Sequence, residues 1–282
     1  GFQPGEVHTH LNPLFFDNSV FDLCSTLFSG GVLIPFDLPT LQNPAALVSR
    51  LQEMKCTSWF SVPSLLMFLQ VTKMATRETL GGLRRIIFGG EGYPKARLKP
   101  LFDALGDRTE FHNVYGPTEC TCICSTYRVT EKDFRDLDGY PPLGRLIPNF
   151  SGWILDEDRP VPPGGSGELC LGGPCVGMGY FNQPEVTRKA FVQNPLRPAY
   201  RDILYRTGDL VRVNPADGLL HFVGRTDLQV KHMGYRIELE EIQHALAAAS
   251  QVDEVVVLHR KTGEVSELIA VVASREGLDP GD

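Results

Sequence analysis

The 282-residue chain is 42% hydrophobic and 22% charged, proportions typical of a folded protein with one large or two medium domains. Its net charge of −7 argues against a nucleic-acid partner or an anionic membrane surface, because both repel an acidic protein. No apolar run approaches the ~20 residues of a membrane span, and seven cysteines, an odd number in a chain this long, favour a reducing compartment such as the cytoplasm.

The first 128 residues alternate between helical and strand patterns. The spacing of the apolar residues Val20, Leu23 and Leu27 predicts a helix within residues 14–27. The sequence then predicts a strand at 32–35, a helix opened by Asn43-Pro44, a strand at 58–62, a helix at 64–71, a strand at 83–88 and a helix at 95–105. This alternation predicts a doubly wound α/β sheet over residues 1–128.

Two predicted strands end in loops whose residue types suit a nucleotide. Gly89-Gly90-Glu91 follows one strand, and Gly116-Pro117-Thr118-Glu119 follows the strand that begins at Phe111. The Gly-Pro turn exposes backbone N–H groups, the threonine hydroxyl can donate to an anionic oxygen, and the glutamate can hold a divalent cation. Because ligands of doubly wound sheets bind beyond the carboxyl ends of the strands, both loops are expected at one crevice. The residues alone also allow an ordinary turn.

Residues 129–226 are interpreted as a small β-rich subdomain, because proline and glycine become frequent and the predicted strands are short. Within it, Tyr-Arg-Thr-Gly-Asp at 205–209 offers a carboxylate that can accept hydrogen bonds from a sugar diol. Gly-Arg-Thr-Asp at 224–227 offers an arginine suited to phosphate or carboxylate. Each could equally be a surface turn. Residues 227–282, with a helix at 237–248 and strands at 255–258 and 268–272, predict the start of an α+β C-terminal domain.

Two further features leave alternatives open. Cys120, Cys122 and Cys124 alternate in a run interpreted as a strand, so they would share one face as a thiolate metal site or as small apolar fillers. The absence of a Cys-x-x-Cys pair or a nearby histidine favours the second interpretation. Asp17 or Ser19 would be a natural helix N-cap, which is the structural alternative to a ligand role for Asp17.

Five motifs, in order and spacing, resemble those of the adenylate-forming enzymes. The resemblance is strongest to the amino-acid adenylation domains of nonribosomal peptide synthetases and to D-alanine–carrier-protein ligases, and it covers essentially the whole chain. The motifs are Phe-Asp-Asn-Ser (16–19), Asn-Val-Tyr-Gly-Pro-Thr-Glu (113–119), Gly-Glu-Leu-Cys-Leu-Gly-Gly with Gly-Tyr-Phe-Asn-Gln-Pro (167–184), Tyr-Arg-Thr-Gly-Asp (205–209) and Gly-Arg-Thr-Asp-Leu-Gln-Val-Lys-His-Met-Gly-Tyr-Arg-Ile-Glu-Leu (224–239).

The resemblance implies ATP and Mg²⁺ as cofactors and assigns residues to the nucleotide. It implies that Asn113 contacts the adenine amino group and that Tyr115 stacks on the ring. Thr118, Glu119 and Arg225 are the expected catalytic residues, with Thr118 at the α-phosphate and Glu119 on Mg²⁺. The remaining nucleotide-binding residues are expected to be Gly89, Gly90, Glu91, Gly116 and Asp209, the last of these on the ribose hydroxyls.

The resemblance also implies a moving C-terminal domain and a carrier partner. Asp227 matches the hinge, and Gly234 matches the loop that admits the phosphopantetheine arm of a peptidyl or acyl carrier protein. The family's phosphate loop would precede residue 1 and its catalytic lysine would follow residue 282. We therefore expect this chain to be part of a longer enzyme and to be poorly active alone.

The expected substrate is an amino acid whose ammonium group pairs with Asp17. The matched pocket positions are Asp17, Asn18, Phe21, Phe60, Ile87, Gly89, Val114, Cys122 and Ile123. Two phenylalanines fill the volume of an aromatic substrate, while Gly89 and Val114 are expected to leave some room. A second charge at the pocket would be needed to bury a charged side chain, and none is present.

A branched aliphatic amino acid such as isoleucine is expected, with alanine next because residues 236–241 are similar to the D-alanine ligases. The alternatives are an acyl- or aryl-CoA ligase, which has no need for a carboxylate at position 17, and a nucleotide-binding or scaffolding module without turnover.

Overall fold

The computed structural model describes residues 1–227, 229–232, 235–249, 251–262 and 265–274. The chain divides into two compact units, Gly1–Gly224 and Arg225–Asp282. Among the described residues, no helix combines the length and apolar character needed to cross a membrane.

The first unit contains, within its described residues, a seven-stranded sheet built mostly from parallel strands. Its strands are β1 (Val7–His10), β2 (Val32–Pro35), β3 (Ser58–Ser61), β4 (Arg85–Gly89), β5 (Glu110–Tyr115), β6 (Ser125–Arg128) and β7 (Arg145–Leu146). They lie in the order β2-β1-β3-β4-β5-β6-β7. Strands β1 to β5 run parallel, β6 pairs antiparallel with β5, and β7 pairs antiparallel with β6. The order reverses between β1 and β3, so the doubly wound α/β prediction is confirmed.

Helices pack on this sheet through leucine-rich faces. They are α1 (Asn18–Ser29), α2 (Leu38–Gln42), α3 (Pro44–Glu53), α4 (Pro63–Val71), α5 (Arg77–Leu80) and α6 (Lys95–Leu105), with 3₁₀ turns at Thr118–Cys120 and Glu131–Arg135. Asn43 starts α3, because its Oδ1 accepts from the Ala45 and Ala46 N–H groups. Leucines of α3, α4 and α6 join Trp59 and Phe88 in one buried core.

Helix α1 is confirmed, but its apolar stripe is not its buried side. Ser19, Asp22 and Thr26 are the buried residues of the helix, whereas Leu27 is 75% exposed and Phe28 is 90% exposed. The side of α1 that packs toward β1 is polar because it hydrogen-bonds there. The apolar spacing therefore predicts the helix but not its orientation.

The second part of this unit is an antiparallel sheet, as the β-rich prediction for residues 129–226 requires. Its elements are β8 (Ser151–Asp156), β9 (Arg159–Pro160), β10 (Ser166–Gly172), α7 (Pro184–Ala190), β11 (Phe191–Gln193), β12 (Ile203–Val213) and β13 (Leu220–Arg225). The order is β11-β12-β10-β8-β9, with β13 also paired to β12. Its core includes Leu171 and Tyr205 together with Tyr115 of β5, so the two sheets share buried surface.

The unit Arg225–Asp282 contains two antiparallel hairpins and a helix in its described residues. They are β14 (Gln229–His232), β15 (Tyr235–Glu238), α8 (Leu239–Ala247), β16 (Glu254–Thr262) and β17 (Val265–Ala273). The predicted helix start at residue 237 is wrong, because Ile237 pairs with Val230 in the first hairpin. Gln243 of α8 accepts from the Val257 N–H at 2.8 Å and so ties the helix to β16.

Candidate active site

The predicted amino-acid pocket gathers at the carboxyl ends of the central parallel strands. The chain leaves β1 and reaches Asp17 and α1, while Phe60 lies in β3, Ile87 and Gly89 lie in β4, and Val114 lies in β5. Because β1 and β3 flank the reversal of strand order, their carboxyl ends diverge into two crossover connections and leave a crevice. The residues named by the motifs therefore surround the position where this fold binds ligands.

The Asp17 side chain points across this crevice. Asp17 occupies the N-cap position of α1, but its carboxylate makes no capping bond. Its Oδ2 instead accepts from the Cys122 N–H at 2.9 Å. Ser19 lies inside the helix and donates to the Phe16 carbonyl at 2.8 Å. The helix-cap alternative is therefore wrong for both side chains, and Asp17 is joined to a residue 105 positions away in the sequence.

The Cys122 segment is held in a strained conformation. Thr121 and Cys122 have positive φ values of 61° and 74°, which cost energy in non-glycine residues and are often found at functional sites. Gly116 allows this loop to pack closely, because a Cβ at Gly116 would lie 1.8 Å from the Cys122 carbonyl oxygen. The predicted strand through the cysteine run is wrong, because these left-handed residues interrupt extended backbone.

The three cysteines are buried as small apolar groups. Cys120 and Cys124 are fully buried, and Cys122 is nearly so. Burial, with the nearby carboxylates of Asp17 and Asp22, raises the pKa of the Cys122 thiol well above its usual range. All seven cysteines lie in the described part of the chain and are free. Among the described residues, no group of three His, Cys, Asp or Glu side chains could hold a metal ion.

The pocket wall consists of two aromatic rings and aliphatic side chains. The Phe21 and Phe60 rings meet edge to face with centroids 4.9 Å apart. A cavity of about 510 Å³ lies beside them, and its lining includes the predicted residues Phe21, Ile87, Val114, Cys122 and Ile123. Asn18 borders the same wall, because its Oδ1 accepts from the Cys122 Sγ at 3.7 Å.

Gly89 packs closely against the neighbouring strand. A Cβ at this position would lie 2.4 Å from the Val114 carbonyl oxygen and 2.7 Å from Val114 Cγ2. Gly89 therefore allows β4 and β5 to approach closely. Val114 also lines the cavity, and room for a substrate beside Gly89 and Val114 stays a prediction.

Charged residues that the sequence analysis missed line the far end of the cavity. They are Arg85, Glu110 and His112. Arg85 lies 3.3 Å from Glu6 and 3.6 Å from Glu110, so its charge is compensated within the protein. Arg85 interrupts the otherwise apolar strand predicted at 83–88, and this interruption was the signal in the sequence for charged residues at the cavity. Among the predicted pocket residues, the charged side chain is that of Asp17.

Tyr115 and Asp209 are joined across the two sheets. The Tyr115 hydroxyl donates to Asp209 Oδ2 at 2.6 Å, and the Tyr115 side chain is only 6% exposed. Burial raises the pKa of Tyr115 well above its usual range, so the hydroxyl stays protonated and remains a donor. Asn113 donates from Nδ2 to the Pro142 carbonyl at 2.8 Å. The predicted adenine and ribose residues thus lie close together at the end of β5.

Glu119 has an aromatic partner, Tyr180, for which the motifs predicted no role. The Tyr180 hydroxyl donates to Glu119 Oε1 at 2.6 Å, and the Gly177 N–H donates to the Glu119 carbonyl at 2.8 Å. Thr118 begins the 3₁₀ turn and is exposed. The segment around Tyr180 therefore fixes the direction of the Glu119 carboxylate from 61 residues away.

The Gly89-Gly90-Glu91 loop is attached to the start of a helix. Gly90 has a φ of +90°, a left-handed conformation that favours glycine. Glu91 Oε1 accepts from the Ser64 N–H at 2.7 Å in the first turn of α4, where the helix dipole favours an acidic group. The loop is thus rigidly placed beside the pocket, and a direct role for Glu91 toward a nucleotide stays a prediction.

Arg225 and Asp227 belong to the second unit and pair with each other. Arg225 Nε lies 2.6 Å from Asp227 Oδ1, and its Nη2 lies 2.6 Å from Oδ2. Asp227 Oδ1 also accepts from the Gln229 N–H at 3.1 Å. Gly234, the predicted carrier-arm residue, lies outside the described residues.

Residues 1–181 match the model of a family described as AMP-binding enzyme. The chain belongs to this family. It is 39% identical over 269 residues to a linear gramicidin synthase polypeptide of Brevibacillus parabrevis, covering 95% of this chain and 3% of that protein. It is 35% identical over 278 residues to the D-alanine–D-alanyl carrier protein ligase of Bacillus cereus (strain G9842), covering 97% of this chain and 53% of the ligase.

A solved structure of an AMP-binding relative has the same fold. It is holo-PA1221, a nonribosomal peptide synthetase protein with adenylation and carrier domains bound to a vinylsulfonamide inhibitor. The TM-score is 0.87 at 28% identity, over 100% of this chain and 48% of that chain. The resemblance read from the motifs is thereby confirmed. The chain spans about half the length of the ligase and a small part of the synthase.

Proposed function

We propose that this chain carries the amino-acid pocket and part of the nucleotide site of an ATP-dependent amino-acid-activating ligase. The bond between Asp17 and the Cys122 N–H supports this most directly. It holds a half-buried carboxylate at the edge of an apolar pocket, where a cationic partner would offset the cost of removing the charge from water. A substrate ammonium group is the partner that this arrangement suits.

The proposed nucleotide roles agree with the donor and acceptor atoms that these side chains carry. The Asn113 amide uses its Nδ2 on the Pro142 carbonyl, so its Oδ1 is the atom that would accept from an adenine amino group. Asp209 would accept from the ribose hydroxyls beside the Tyr115 hydroxyl. Tyr115 would stack on the base, and Thr118 would donate to the α-phosphate.

Glu119 fits a magnesium ion that is completed by phosphate oxygens. Its carboxylate is oriented by a neutral donor, Tyr180, and the Thr118 hydroxyl lies beside it in the chain. Mg²⁺ in nucleotide enzymes is commonly held by one or two carboxylates together with substrate phosphates. When bound, the ion would supply positive charge to the phosphate oxygens.

The proposed reaction has two steps. A carboxylate oxygen of the amino acid forms a bond to the α-phosphorus while the bond to the bridging oxygen breaks and pyrophosphate leaves. The sulfur of a carrier phosphopantetheine thiol then bonds to the acyl carbon, AMP leaves, and the thiol proton is released. The residues of this chain bind and orient the reactants, which can supply a large part of the rate enhancement. The carrier domain of the solved relative and the carrier protein in the name of the ligase support the second step.

The proposed side-chain preference is a branched aliphatic amino acid such as isoleucine, with alanine next. The Phe21 and Phe60 rings pack against each other at the pocket wall, where they would compete with an aromatic substrate for volume. A charged side chain would be buried without a partner, because Arg85 is already paired with Glu6 and Glu110.

Pyrophosphate exchange by the full-length protein tests this proposal. We expect exchange with isoleucine to exceed that with valine, leucine and alanine by about 10- to 200-fold, the range available from one or a few methylene groups. A preference for phenylalanine or for any charged amino acid would contradict the pocket assignment. Exchange that depends on a carboxylic acid without an amino group would indicate an acyl- or aryl-CoA ligase. No exchange with any of these compounds would indicate a binding or scaffolding module.

A further inference from the structure

A buried polar cluster that the proposed reaction does not use lies directly behind the Phe21 and Phe60 rings of the pocket wall. It consists of His10 at the end of β1, Asn12 just after it, and Asp22 in α1. Asp22 Oδ2 lies 3.1 Å from His10 Nδ1 and accepts from Asn12 Nδ2 at 3.1 Å. Asp22 is only 2% exposed. A carboxylate this buried needs these donors, so they fix α1 against the end of β1.

The same cluster also contacts Phe60, one of the two phenylalanines of the pocket wall. Asn12 Nδ2 also donates to the Phe60 carbonyl oxygen at 3.1 Å. The Asn12 amide therefore bridges the Asp22 carboxylate and the main chain of Phe60. Phe21 is the residue immediately before Asp22, and its ring packs 4.9 Å from that of Phe60. The Asn12 amide is thus linked to both phenylalanines of the pocket wall. It bonds directly to the main chain of Phe60 and reaches Phe21 through the adjacent Asp22.

We propose that Asp22 is a positioning residue that, through Asn12, fixes the spacing of Phe21 and Phe60 and so selects the size of the substrate side chain. The inference rests on the proposed amino-acid pocket, but the spacing itself can be measured without catalysis. Asp22 is not part of the cavity lining, and its bonds lead to the aromatic wall, so its effect is expected on amino-acid binding rather than on ATP.

The cluster also makes the spacing sensitive to pH. Burial raises the pKa of Asp22 to about 7, although hydrogen bonds from Asn12 and His10 oppose the rise. His10 faces Asp22 from β1, the Cys122 thiol interacts with it from the loop after β5, and β3 contributes the Phe60 carbonyl through Asn12. Protonation of Asp22 removes the negative charge that strengthens its bonds from the bridging amide and from His10.

The test uses Asp22→Asn and Asn12→Leu in the full-length protein, with Asp103→Asn as the matched control. Asp103 is 56% exposed on α6 and pairs at the surface with Lys99. Asp22→Asn removes the negative charge that the Asn12 and His10 donors face, because both contact the same carboxylate oxygen. We expect the KM for the amino acid to rise about 10- to 100-fold, as for small misplacements of binding groups. The KM for ATP should stay within about twofold, and the ranking of valine, isoleucine and leucine should change.

Crystal structures of the variants give the second readout. We expect the distance between the Phe21 and Phe60 ring centroids to depart from 4.9 Å in both variants and to be kept in Asp103→Asn. Unchanged rings together with an unchanged amino-acid KM would overturn the inference. Equal rises in both KM values would also overturn it, because they would indicate general destabilisation. Displaced rings in a protein whose wild type shows no exchange would support the positioning role and contradict the proposed function instead.

The wild-type protein provides a test that needs no variant. We expect the KM for the amino acid to rise as the pH falls through about 7, where Asp22 becomes protonated, while the KM for ATP changes little. A flat amino-acid KM between about pH 6 and about pH 8 would overturn the inference, since the titration range follows from the Asp22 carboxyl.

Discussion

Two aspartates at helix starts behave differently in this molecule. Asp37 caps α2, and its Oδ1 accepts from the Thr40 N–H at 3.1 Å. Asp17 occupies the same position on α1 but points to Cys122. The residue type is identical, so the difference comes from the strained loop that brings a main-chain donor to Asp17. Side chains that forgo a local bond for a distant one are often functional.

Asp17→Ala tests the ammonium role. We expect amino-acid-dependent exchange in the full-length protein to fall about 100-fold or more, because breaking a buried ion pair costs about 3–5 kcal/mol. ATP binding, measured by calorimetry, should be largely unchanged. Exchange that survives within about threefold, a loss under about 1 kcal/mol, would contradict the role.

Asp37→Ala is the matched control for that variant. It removes a genuine N-cap outside the set of pocket residues, so it should lower the melting temperature slightly and leave exchange unchanged. If Asp17→Ala lowered the melting temperature and exchange only as much as Asp37→Ala does, its role would be structural.

Gly116→Ala tests the packing of the strained loop. A Cβ there would lie 1.8 Å from the Cys122 carbonyl oxygen and 2.7 Å from its carbonyl carbon. Backbone atoms cannot move aside cheaply, so we expect a loss of more than about 2 kcal/mol in unfolding free energy, measured with urea. Gly82→Ala is the control, because its nearest contact would be the Cys56 carbonyl at 3.8 Å. Equal stability of the two variants would show that the loop is not constrained by Gly116.

At the scale of elements, α1 is unusual because polar bonds attach it to the sheet. Thr26 donates to the Asp22 carbonyl at 2.7 Å, and Asp22 is bonded to His10 and Asn12. A helix attached in this way has one defined position, since polar partners must align whereas apolar surfaces can slide. Because Asp22 titrates near pH 7, this attachment also depends on pH.

The stability of the fold should therefore depend on pH through Asp22. Its pKa is raised by burial to about 7, so the protonated form stabilises the native state. That contribution is fully present below the unfolded pKa of about 4 and is lost as the pH rises through about 7. We expect the unfolding free energy of the wild type to fall relative to Asp22→Asn between about pH 4 and about pH 7, the window set by these two values.

The comparison must be made as a difference, because other groups titrate nearby. Burial lowers the pKa of His8, His112 and His221, so their neutral forms stabilise the fold. That stabilisation is lost as the pH falls, whereas the contribution of Asp22 is lost as the pH rises. These histidines are common to both proteins and cancel. A difference that stays constant with pH would show that Asp22 does not titrate in this range.

At the level of the whole molecule, α1 and the segment before it expose several large apolar side chains. Leu27 and Phe28 are 75% and 90% exposed, and Leu14 and Phe15 are 74% and 78% exposed. Exposed apolar side chains that lie together promote association. We expect the 282-residue chain to self-associate, and a Leu27→Glu, Phe28→Lys double variant to reduce this in light-scattering measurements.

Phe181→Ser is the control for the double variant. Phe181 is 99% exposed but lies on the loop before α7, on an element other than α1. Equal effects of the two changes would show that general surface hydrophobicity, rather than the α1 surface, drives association.

The predicted hinge concerns the motion of the second unit. Asp227→Pro would restrict φ to about −65° and should lock one arrangement. Adenylate formation and thioester formation in the full-length protein should then fall very unequally. Asp227→Ala is the control, since it also removes the ion pair to Arg225 but keeps a flexible backbone. An equal loss in both half-reactions, or the same pattern in Asp227→Ala, would contradict the hinge assignment.

Local sequence patterns were enough to predict most helices and strands of the first unit and the family. The helix predicted at residues 95–105 is α6 (Lys95–Leu105), and the strand predicted at 32–35 is β2 (Val32–Pro35). Such elements depend on spacing and turn residues within a few positions, which the sequence states directly. The five motifs likewise identified the family, because each is a local run of residues.

The directions of the functional side chains depend on long-range contacts that the fold creates. Asp17 meets Cys122, Glu119 meets Tyr180 and Tyr115 meets Asp209 across separations of 105, 61 and 94 residues. The polar side of α1 faces the sheet for the same reason, since its partners His10 and Asn12 lie in and just after β1. These choices depend on which donors the fold brings to each acceptor, and a local pattern does not contain that information.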